Sequence, residues 1–325
     1  MMRALITGIT GQDGAYLARL LTDYGYEVFG AYRRGASPRT ERLAYLNVSP
    51  EMVPFELGEY ENVKRTIDHI KPDEIYNLAA QSFVADSFEL PTYTCDVNGM
   101  GVLRILEAIR GKDIRLYQAS TSEMFGNATP RQSETTPFIP RSPYGCGKLL
   151  AHSLCRNYRE SYGVQVSCGI LFNHESPLRG KEFVTQKIAY GVWDEHLRLG
   201  NLEAKRDWGH ARDYVKAMWL MLQHQPDDFV VATGTAHSVK DFLTAAKQES
   251  GTEPVVTIDP KFYRPAEVNH LCGDATKARE ILGWEPTTTF RDLVGEMVRE
   301  AGKCSGYFWD SIDGKLPRIK SVITA

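Results

Sequence analysis

The fold of this chain is decided by the stretch Leu5-Ile6-Thr7-Gly8-Ile9-Thr10-Gly11-Gln12-Asp13-Gly14. A short apolar run predicts a strand, glycines then recur at every third position, and an apolar pattern with helical spacing follows. Glycine-rich backbone can approach a pyrophosphate closely, and the N-terminus of the following helix offers N–H donors and a positive dipole. Without this context, the pattern would fit an ordinary glycine-rich turn. Between a strand and a helix, it predicts a Rossmann-type dinucleotide site at Gly8, Thr10, Gly11, Gln12, Asp13 and Gly14.

Short β-branched runs alternate with longer helical patterns in the chain that follows. We predict strands over residues 3–7, 27–32, 74–79, 114–120, 164–172 and 229–233. We predict helices over residues 15–24, 62–70, 97–109, 144–162 and 214–223. Strands that alternate with helices indicate an α/β fold with a doubly wound parallel sheet, covered by helices on both faces.

The pattern changes in the last third of the chain, where polar loops separate helices predicted near 239–248, 275–282 and 290–301. This change predicts a smaller C-terminal substrate domain that is interleaved with the first domain. We expect residues 1–172 plus 206–234 to form a dinucleotide-binding domain. We expect residues 173–205 plus 235–325 to form a substrate domain.

The composition, 42% apolar and 24% charged over 325 residues, is typical of a soluble globular protein. A formal net charge of −3 argues against nucleic acid or an anionic membrane as a partner. The six cysteines include no C-x-x-C pair, so no zinc knuckle or redox motif is indicated and no metal is expected. The chain starts without a signal-peptide pattern and has no stretch near the roughly 18 apolar residues of a membrane span. We therefore expect a cytoplasmic protein.

The end of the second predicted strand distinguishes between the two nicotinamide dinucleotides. An NAD site usually places an Asp or Glu there, which accepts a hydrogen bond from the ribose 2′-hydroxyl. Here the strand ends without a carboxylate and runs into Arg33 and Arg34. Their guanidinium groups suit a 2′-phosphate, because planar arrays of N–H donors fit its oxygens. A solvated surface pair is the alternative, but the position after the second strand favours NADP as the cofactor.

Tyr144 and Lys148 lie four residues apart at the start of a long predicted helix. Residues at this spacing share one helix face, so the phenol and the ammonium point the same way. A nearby cation favours the phenolate, and we expect Lys148 to lower the pKa of Tyr144. Such a phenolate can take a proton from a hydroxyl while hydride leaves its carbon, and Lys148 can hold the nicotinamide ribose. Tyr and Lys are common on helix surfaces, so the assignment depends on the dinucleotide motif that precedes them.

The segment Ser120-Thr121-Ser122-Glu123 ends the strand before this helix. The carboxyl ends of parallel strands face the ligand crevice. The Thr121 hydroxyl can therefore bond a reacting oxygen. Glu123 adds a second acid/base group, which a simple dehydrogenase does not need. The alternative is a capped helix start with an exposed carboxylate.

Together these residues resemble the extended short-chain dehydrogenase/reductase superfamily, and more narrowly the GDP-mannose 4,6-dehydratases. The resemblance extends over residues 2–300. It rests on Ala4-Leu5-Ile6-Thr7-Gly8-Ile9-Thr10-Gly11-Gln12-Asp13-Gly14, Asn77-Leu78-Ala79-Ala80-Gln81-Ser82, Gln118-Ala119-Ser120-Thr121-Ser122-Glu123, Arg141-Ser142-Pro143-Tyr144, Gly169-Ile170-Leu171-Phe172-Asn173-His174-Glu175-Ser176-Pro177, Arg206-Asp207-Trp208-Gly209-His210 and Tyr263-Arg264-Pro265-Ala266-Glu267.

The resemblance implies a reaction without net oxidation. Tyr144 would take the proton of the 4-hydroxyl of GDP-mannose as NADP accepts the C4 hydride. The resulting ketone, bonded by Thr121, would acidify the C5 proton, and Glu123 would remove that proton and help to expel the C6 hydroxyl as water. Return of the hydride to C6 would give GDP-4-keto-6-deoxy-mannose.

The resemblance also implies binding residues. Those for the GDP-sugar are Ser82, Asn173, Val184, Lys187, Arg206, Arg264 and Glu267. The cofactor would be bound by the glycine turn and by Arg33, Arg34, Tyr144 and Lys148. The resemblance adds Glu59, Leu78, Ala80, Ser82, Tyr93, His174 and Arg179 to these cofactor residues. Three of these residues also have simpler explanations. Lys187 could be a solvated helix residue, Arg206 could form a local ion pair with Asp207, and Asn173 could bond the backbone at a strand end. We assign no catalytic role to His174.

Some features depart from the family pattern. Gly145, Cys146 and Gly147 stand where Ala or Val is commoner, and the segment 187–199 is shorter than in relatives. Other functions stay open: dehydration of GDP-manno-heptose or another nucleotide sugar, a nucleotide-sugar epimerase or reductase, and an NADP-binding protein without activity. Glu123 argues against the epimerase and the reductase. Apolar residues around helices 97–109 and 144–162 lead us to expect a homodimer or homotetramer.

Overall fold

A computed structural model describes residues 1–33, 39–263 and 265–304. Its strands are β1 Arg3–Thr7, β2 Glu27–Arg33, β3 Glu51–Phe55, β4 Glu74–Asn77, β5 Arg115–Thr121, β6 Val166–Leu171, β7 Asn173–Glu175, β8 His196–Leu199, β9 Lys205–His210, β10 Asp228–Val231, β11 Ala236–Ser238 and β12 Val255–Ile258. Its α-helices are α1 Gln12–Asp23, α2 Glu41–Tyr45, α3 Tyr60–Ile70, α4 Asp86–Glu89, α5 Pro91–Cys95, α6 Gly101–Ile109, α7 Pro143–Tyr162, α8 Val184–Gly191, α9 Ala211–Leu222, α10 Val239–Ser250, α11 Thr276–Leu282 and α12 Phe290–Cys304.

A seven-stranded sheet with the order β10-β6-β5-β4-β1-β2-β3 forms the centre of the molecule. All of its neighbouring strands pair in parallel. Successive side chains of a strand face opposite sides, so the buried Ile6 packs with α1 and α9 while Leu5 packs with α3 and α6. The predicted α/β fold with a doubly wound parallel sheet is therefore confirmed.

Strand β3 was not among the predicted strands. Its sequence, EMVPF, contains a proline and a glutamate, which are depleted in strands. The strand lies at the edge of the sheet, next to β2 only. A proline is tolerated there because one side of an edge strand makes no ladder hydrogen bonds.

Two small sheets accompany the large one. Strands β7, β9 and β11 form a three-stranded sheet, and β8 pairs with β12 in parallel. A third apolar cluster joins α8, α10 and α12. The three-stranded sheet takes its strands from chain segments that we expect to lie in different domains, and the proposed domain division stays a prediction. These strands have three to six residues, too few to show a reliable alternation.

Within the three ranges that the structure describes, no helix is both long enough and apolar enough to cross a membrane.

The glycine turn brings the start of α1 against β1. A Cβ atom added at Gly14 would lie 2.5 Å from the carbonyl oxygen of Gly8 and 2.6 Å from Cα of Ile9. These are backbone atoms, which cannot move aside without opening the turn.

We expect Gly14→Ala to lower the free energy of unfolding by about 1–3 kcal/mol, because overpacked sites shift the backbone. Gly58→Ala is the matched control, since its nearest neighbour would be a side-chain oxygen 3.8 Å away. Thermal and urea unfolding of both variants measure the difference. Equal stability of the two variants would contradict this account of the turn.

Candidate active site

The carboxyl ends of the central parallel strands line one edge of the sheet. Gly8 follows β1, Leu78 follows β4, Thr121 ends β5 and Asn173 lies just beyond β6. Because the strand order is β6-β5-β4-β1-β2, these residues follow one another along the edge. Ligands of such sheets bind outside this edge.

A buried chain of polar side chains connects the ends of three strands. Oγ1 of Thr7 donates to Oδ1 of Asn77 at 2.6 Å, and Nδ2 of Asn77 donates to Oε1 of Gln118 at 2.7 Å. Nε2 of Gln118 in turn donates to the carbonyl oxygen of Ala119 at 2.9 Å. The same carbonyl oxygen accepts a hydrogen bond from Nζ of Lys148 at 2.8 Å. The first predicted strand and the predicted catalytic helix are thereby joined through β4 and β5.

A cavity of about 290 Å³ lies at the ends of β1, β2 and β4. Its lining includes the predicted cofactor residues Gly8, Thr10, Gly11, Arg33, Leu78, Ala80, Ser82 and Tyr93. It also includes residues that we did not predict, namely Thr7, Ala31, Tyr32, Phe55, Glu56, Leu57, Ala79 and Val97. Phe55 ends β3, and Glu56 and Leu57 follow it. A sequence signal for β3 would therefore have pointed to these three residues.

The glycine turn fits a dinucleotide. A Cβ atom at Gly8 would lie 2.9 Å from the backbone nitrogen of Ala79, and the φ of Gly8 is +70°. Gly11 precedes α1 as its N-cap without a side chain that could cover the helix N-terminus. The bare backbone leaves room for phosphate oxygens beside N–H donors.

Arg33 reaches this cavity, and its Nη1 donates to the Tyr93 hydroxyl at 3.2 Å. Arg34 and Arg264, which we also expect to bind phosphate groups, lie outside the described residues.

Glu59, one of the expected cofactor-binding residues, does not line the described part of the cavity. It is exposed and precedes α3 as its N-cap residue. Glu56, three residues earlier, lines the cavity instead. The strand ends at Phe55, so Glu56 is the residue that extends past the edge of the sheet.

The side chains of Gln12 and Asp13 face the chain segment after β6. Oδ2 of Asp13 lies 2.8 Å from Nε2 of His174, and Nδ1 of His174 lies 2.8 Å from the carbonyl oxygen of Phe172. Oγ of Ser176 donates to Oε1 of Gln12 at 2.7 Å. These contacts fix the glycine turn to the start of β7. They agree with a structural hydrogen-bonding role for His174.

Opposite charges determine the titration of this pair. Burial alone would raise the pKa of Asp13, but the charge and hydrogen bond of His174 lower it below its ordinary value. Burial alone would lower the pKa of His174, but Asp13 raises it above its ordinary value. Each side chain therefore favours the charged form of the other.

Arg179 lies beside the same segment. Its Nε is 2.9 Å from Oε2 of Glu175, and its guanidinium carbon lies 3.5 Å from the ring centroid of Phe183. Glu175 is 1% exposed and also accepts a hydrogen bond from Thr185 at 2.6 Å. Neither Arg179 nor His174 lines the described part of the small cavity.

Helix α7 begins at a well-formed cap. Oγ of Ser142 accepts a hydrogen bond from the backbone nitrogen of Gly145 at 3.1 Å, and Pro143 occupies the first turn. A Cβ atom at Gly145 would lie 3.1 Å from the carbonyl oxygen of Glu123. Glycine at this unusual position thus lets the start of α7 approach Glu123 closely.

Tyr144, Thr121 and Glu123 meet at the end of β5. The Thr121 side chain lowers the pKa of the Tyr144 phenol and the charge of Glu123 raises it, so both groups lie close to the phenol. Thr121 also caps the 3-10 turn Ser122–Met124, since its Oγ1 accepts from the backbone nitrogen of Glu123 at 3.2 Å. Glu123 is half-buried, so the cap and the acid/base interpretations of this segment are compatible.

The expected effect of Lys148 on Tyr144 is wrong. Burial raises the pKa of Tyr144 to about 12, against the hydrogen bond of Thr121 and the charge of Arg179. Nζ of Lys148 lies 6.0 Å from the Tyr144 ring centroid and bonds the carbonyl oxygen of Ala119 instead. Burial lowers the pKa of Lys148 itself to about 8. Helical spacing predicted the shared face but not the depth at which both groups are buried.

A larger cavity, of about 850 Å³, lies beyond the end of β6. It is lined by the predicted substrate residues Asn173, Val184, Lys187, Arg206 and Glu267, whereas Ser82 lines the small cavity. Unpredicted members with charged or aromatic side chains include Phe83, Lys181, Arg198, Trp208, Lys261 and Phe262. Lys261 and Phe262 directly precede the family segment 263–267, and this proximity is the sequence signal that could have identified them.

Two of the predicted cations of this cavity are partly desolvated. Burial lowers the pKa of Lys187, whose Nζ lies 4.3 Å from the ring centroid of Phe262. Arg206 is 7% exposed and donates from Nη1 to the carbonyl oxygen of Lys205 at 2.9 Å. Lys187 is thus not a fully solvated helix residue.

A family model described as GDP-mannose 4,6 dehydratase matches residues 5–297. The chain belongs to this family. GDP-mannose 4,6 dehydratase 1 of Arabidopsis thaliana is 51% identical over 320 residues, which cover 91% of this chain and 89% of the relative. GDP-mannose 4,6 dehydratase of Homo sapiens is 47% identical over 334 residues, which cover 91% and 90%. The resemblance inferred from the sequence motifs is confirmed, and the chain is an enzyme of the dehydratase family.

Solved structures agree with the fold. The UDP-glucose 4-epimerase of Thermus thermophilus in complex with NAD has a TM-score of 0.84 at 26% identity, over 93% of this chain and 99% of that chain. RMD from Pseudomonas aeruginosa complexed with NADPH has a TM-score of 0.78 at 21% identity, over 94% and 100%. At this level of identity, the second likeness supports the fold alone.

We expect His174→Gln to destabilise the protein in a pH-dependent way, since glutamine can bond Asp13 without a charge. The folded-state pKa of His174 lies above its ordinary value of 6.5, so its contribution to stability is complete below that pH and declines as pH rises through the folded-state value. The difference in melting temperature from wild type should therefore be largest below about pH 6.5 and shrink as the pH rises above it.

Melting temperatures measured across this range test the expectation. His224→Gln, at an exposed histidine, is the matched control. A difference for His174→Gln that does not change with pH would contradict the charged pair.

Proposed function

We propose that the protein is an NADP-dependent GDP-mannose 4,6-dehydratase. The observation that carries the proposal is the meeting of Thr121, Glu123 and Tyr144 at the end of β5. In the sheet, β5 lies between β4, whose end borders the small cavity, and β6, beyond whose end the large cavity lies. The group therefore lies between the two cavities along the sheet edge. A cofactor in the first cavity and a sugar nucleotide in the second would thus meet at the group. Family membership supports the same reaction.

We assign the following chemistry to the side chains. Bound NADP would supply a hydride acceptor for C4 of the sugar and return the same hydride at C6. Tyr144, as the phenolate, takes the proton of the 4-hydroxyl; burial opposes this form by raising the pKa of the phenol, and the Thr121 side chain favours it. Thr121 then donates its hydroxyl to the oxygen at C4. Lys148 holds the ribose of the cofactor.

Glu123 carries the step that distinguishes a dehydratase. A ketone at C4 acidifies the C5 proton, and the Glu123 carboxylate takes it. The carboxylic acid so formed gives a proton to the departing C6 hydroxyl, which leaves as water. Return of the hydride to C6 would leave an enolate, and C5 takes a proton that balances the one Tyr144 removed from the 4-hydroxyl. GDP-mannose thus becomes GDP-4-keto-6-deoxy-mannose and one water molecule. An epimerase or a reductase needs no such carboxylate.

NADP is favoured over NAD by the residues at the end of β2. Neighbours in the fold include proteins solved with NAD and with NADPH, so the fold allows both. Arg33 reaches the small cavity, where a guanidinium can bond a 2′-phosphate. The glycine turn accepts the pyrophosphate beside it.

The larger cavity suits a sugar nucleotide. A volume of about 850 Å³ is within the usual range of ligand sites. Lys187 and Arg206 supply cations for the diphosphate, and Glu267 a carboxylate for guanine or ribose. Asn173 lies next to the sheet edge, where the sugar would approach Tyr144. GDP-manno-heptose is the second candidate substrate, since this volume alone does not exclude a larger sugar.

The domain organisation and the oligomeric state are also part of the proposal. We propose the two-domain division given above, and a homodimer or homotetramer that pairs through α6 and α7. Met100, Leu150 and Tyr162 on or beside these helices are 40%, 41% and 51% exposed. Exposed apolar side chains on neighbouring helices favour association.

Arg33→Ser should raise the Kd for NADP by about 10- to 100-fold, because charge-assisted hydrogen bonds contribute about 1.5–3 kcal/mol. The Kd for NAD should change little, since NAD lacks the 2′-phosphate. Titration calorimetry with both dinucleotides measures the two constants. Equal losses for NADP and NAD would show that Arg33 does not recognise the phosphate.

Glu123→Gln should stall the reaction after oxidation at C4. We expect GDP-4-keto-mannose and reduced cofactor in equal amounts, with no 6-deoxy product, because an amide cannot take the C5 proton. Rapid quenching followed by mass spectrometry detects these species.

The matched control is Glu300→Gln, at a half-buried glutamate of α12 that pairs with Lys303. It should turn over like the wild type. Normal formation of 6-deoxy product by Glu123→Gln would refute the role given to Glu123.

A further inference from the structure

Helix α7 presents a third buried side chain toward β5, besides the two used by the proposed mechanism. His152 lies four residues beyond Lys148 and eight beyond Tyr144, so the three share one helix face. Tyr144 lies beside Thr121, the last residue of β5, and Lys148 donates to the carbonyl oxygen of Ala119. Nδ1 of His152 lies 3.1 Å from Oγ of Ser120, the residue between them. Three turns of the helix thus face three consecutive residues of the strand, and two of them are hydrogen-bonded to it.

The other side of the imidazole is fixed by two neighbouring strands. Nε2 of His152 lies 3.5 Å from Oδ2 of Asp228 on β10. Nη2 of Arg159 donates to the other oxygen of this carboxylate at 2.7 Å. Cys168 on β6 lies beside both, and the polar atoms of His152, Cys168 and Asp228 are all within 4.8 Å of one another. His152 is 2% exposed, so its ring cannot turn without breaking these contacts.

These three residues are also of the types that bind zinc. Two guanidinium groups argue against a metal at this cluster. Arg159 lies 2.7 Å and Arg156 3.7 Å from the oxygens of Asp228, so the carboxylate is already neutralised. A divalent cation beside them would be repelled in a poorly solvated site. A hydrogen-bond network explains the cluster better.

We propose that His152 is a positioning residue, which fixes α7 on β5 and thereby holds Tyr144 and Lys148 opposite Thr121. The inference rests on the proposed function, because that function gives Tyr144 and Lys148 their roles. Its physical basis is the contact with Ser120, one residue before Thr121. A displacement of about 1 Å between reacting groups can lower a rate about 100-fold.

Two substitutions at His152 separate its two contacts. The amide of His152→Asn occupies the place of Nδ1 and can still bond Ser120, while the longer side chain of His152→Gln reaches toward Asp228 instead. Both variants lose the ring and place one neutral amide in the same buried site. If the Ser120 contact positions the helix, His152→Gln should have a kcat about tenfold below that of His152→Asn.

Ser120→Ala removes the same contact from the strand side. It should lower kcat about tenfold, with a KM for GDP-mannose close to that of the wild type. Ser167→Ala is its matched control. Ser167 is a buried serine of β6 whose Oγ donates to the carbonyl oxygen of Met221 at 3.3 Å, on the α9 side of the sheet. Its loss should cost similar stability, measured by thermal unfolding, without the loss of kcat.

The outcomes are distinct. Equal kcat for His152→Asn and His152→Gln, or for Ser120→Ala and Ser167→Ala, would overturn the positioning role. So would one zinc per purified chain that disappears in Cys168→Ser, measured by elemental analysis. If the wild type does not convert GDP-mannose, the proposed function fails separately. In that case the Kd for NADP tests the positioning role of His152. The Kd should be several-fold higher for His152→Gln than for His152→Asn. Equal values would overturn the positioning role.

Discussion

The structure depends on a buried chain of hydrogen bonds that runs from Thr7 through Asn77 and Gln118 to the carbonyl oxygen of Ala119 and Nζ of Lys148. Thr7 is 0% exposed, and Asn77 and Gln118 are each 1% exposed. Buried polar groups are costly when they lack partners, and a satisfied network specifies one arrangement of its strands. The network therefore fixes the relative positions of the glycine turn, the strand ends and helix α7.

This constraint explains how distant parts of the sequence form one site. Once β1, β4 and β5 are aligned, Gly8, Leu78 and Thr121 must follow one another along the same edge. Asp13 extends the alignment to β7 through His174. The glycine turn carries a carboxylate that would oppose an anionic ligand. The imidazole of His174 lies 2.8 Å from this carboxylate and binds it, so the backbone donors of the turn remain suitable for phosphate.

Much of the fold could be predicted because strong local signals and tertiary structure agree. The glycine turn, the apolar strands β1, β4, β5 and β6 and the long helix α7 all follow from periodicity and caps. Strand β3 and the short strands of the small sheets could not be predicted, since they are defined by their neighbours rather than by their own pattern. Their pairing depends on contacts between residues far apart in sequence, such as Asn173 with Trp208.

The candidate site shows the same limit. Motifs led us to predict Tyr144, Lys148, Thr121 and Glu123 as catalytic residues, because their types and order carry chemical meaning. Electrostatic effects were less accessible: burial raises the pKa of Tyr144 to about 12, although a lysine lies one turn away. Desolvation depends on the whole fold and is not visible in a short motif. The role of His152 likewise follows only from the strands packed around it.

The central claim is that one hydride leaves C4 of the sugar and returns to C6 of the same molecule. GDP-mannose labelled with deuterium at C4 tests this claim most directly, with NMR and mass spectrometry of the product. We predict GDP-4-keto-6-deoxy-mannose with the deuterium at C6 and no accumulation of reduced cofactor. Deuterium released to solvent or retained in free NADPH, or a product that keeps its C6 hydroxyl, would contradict the account.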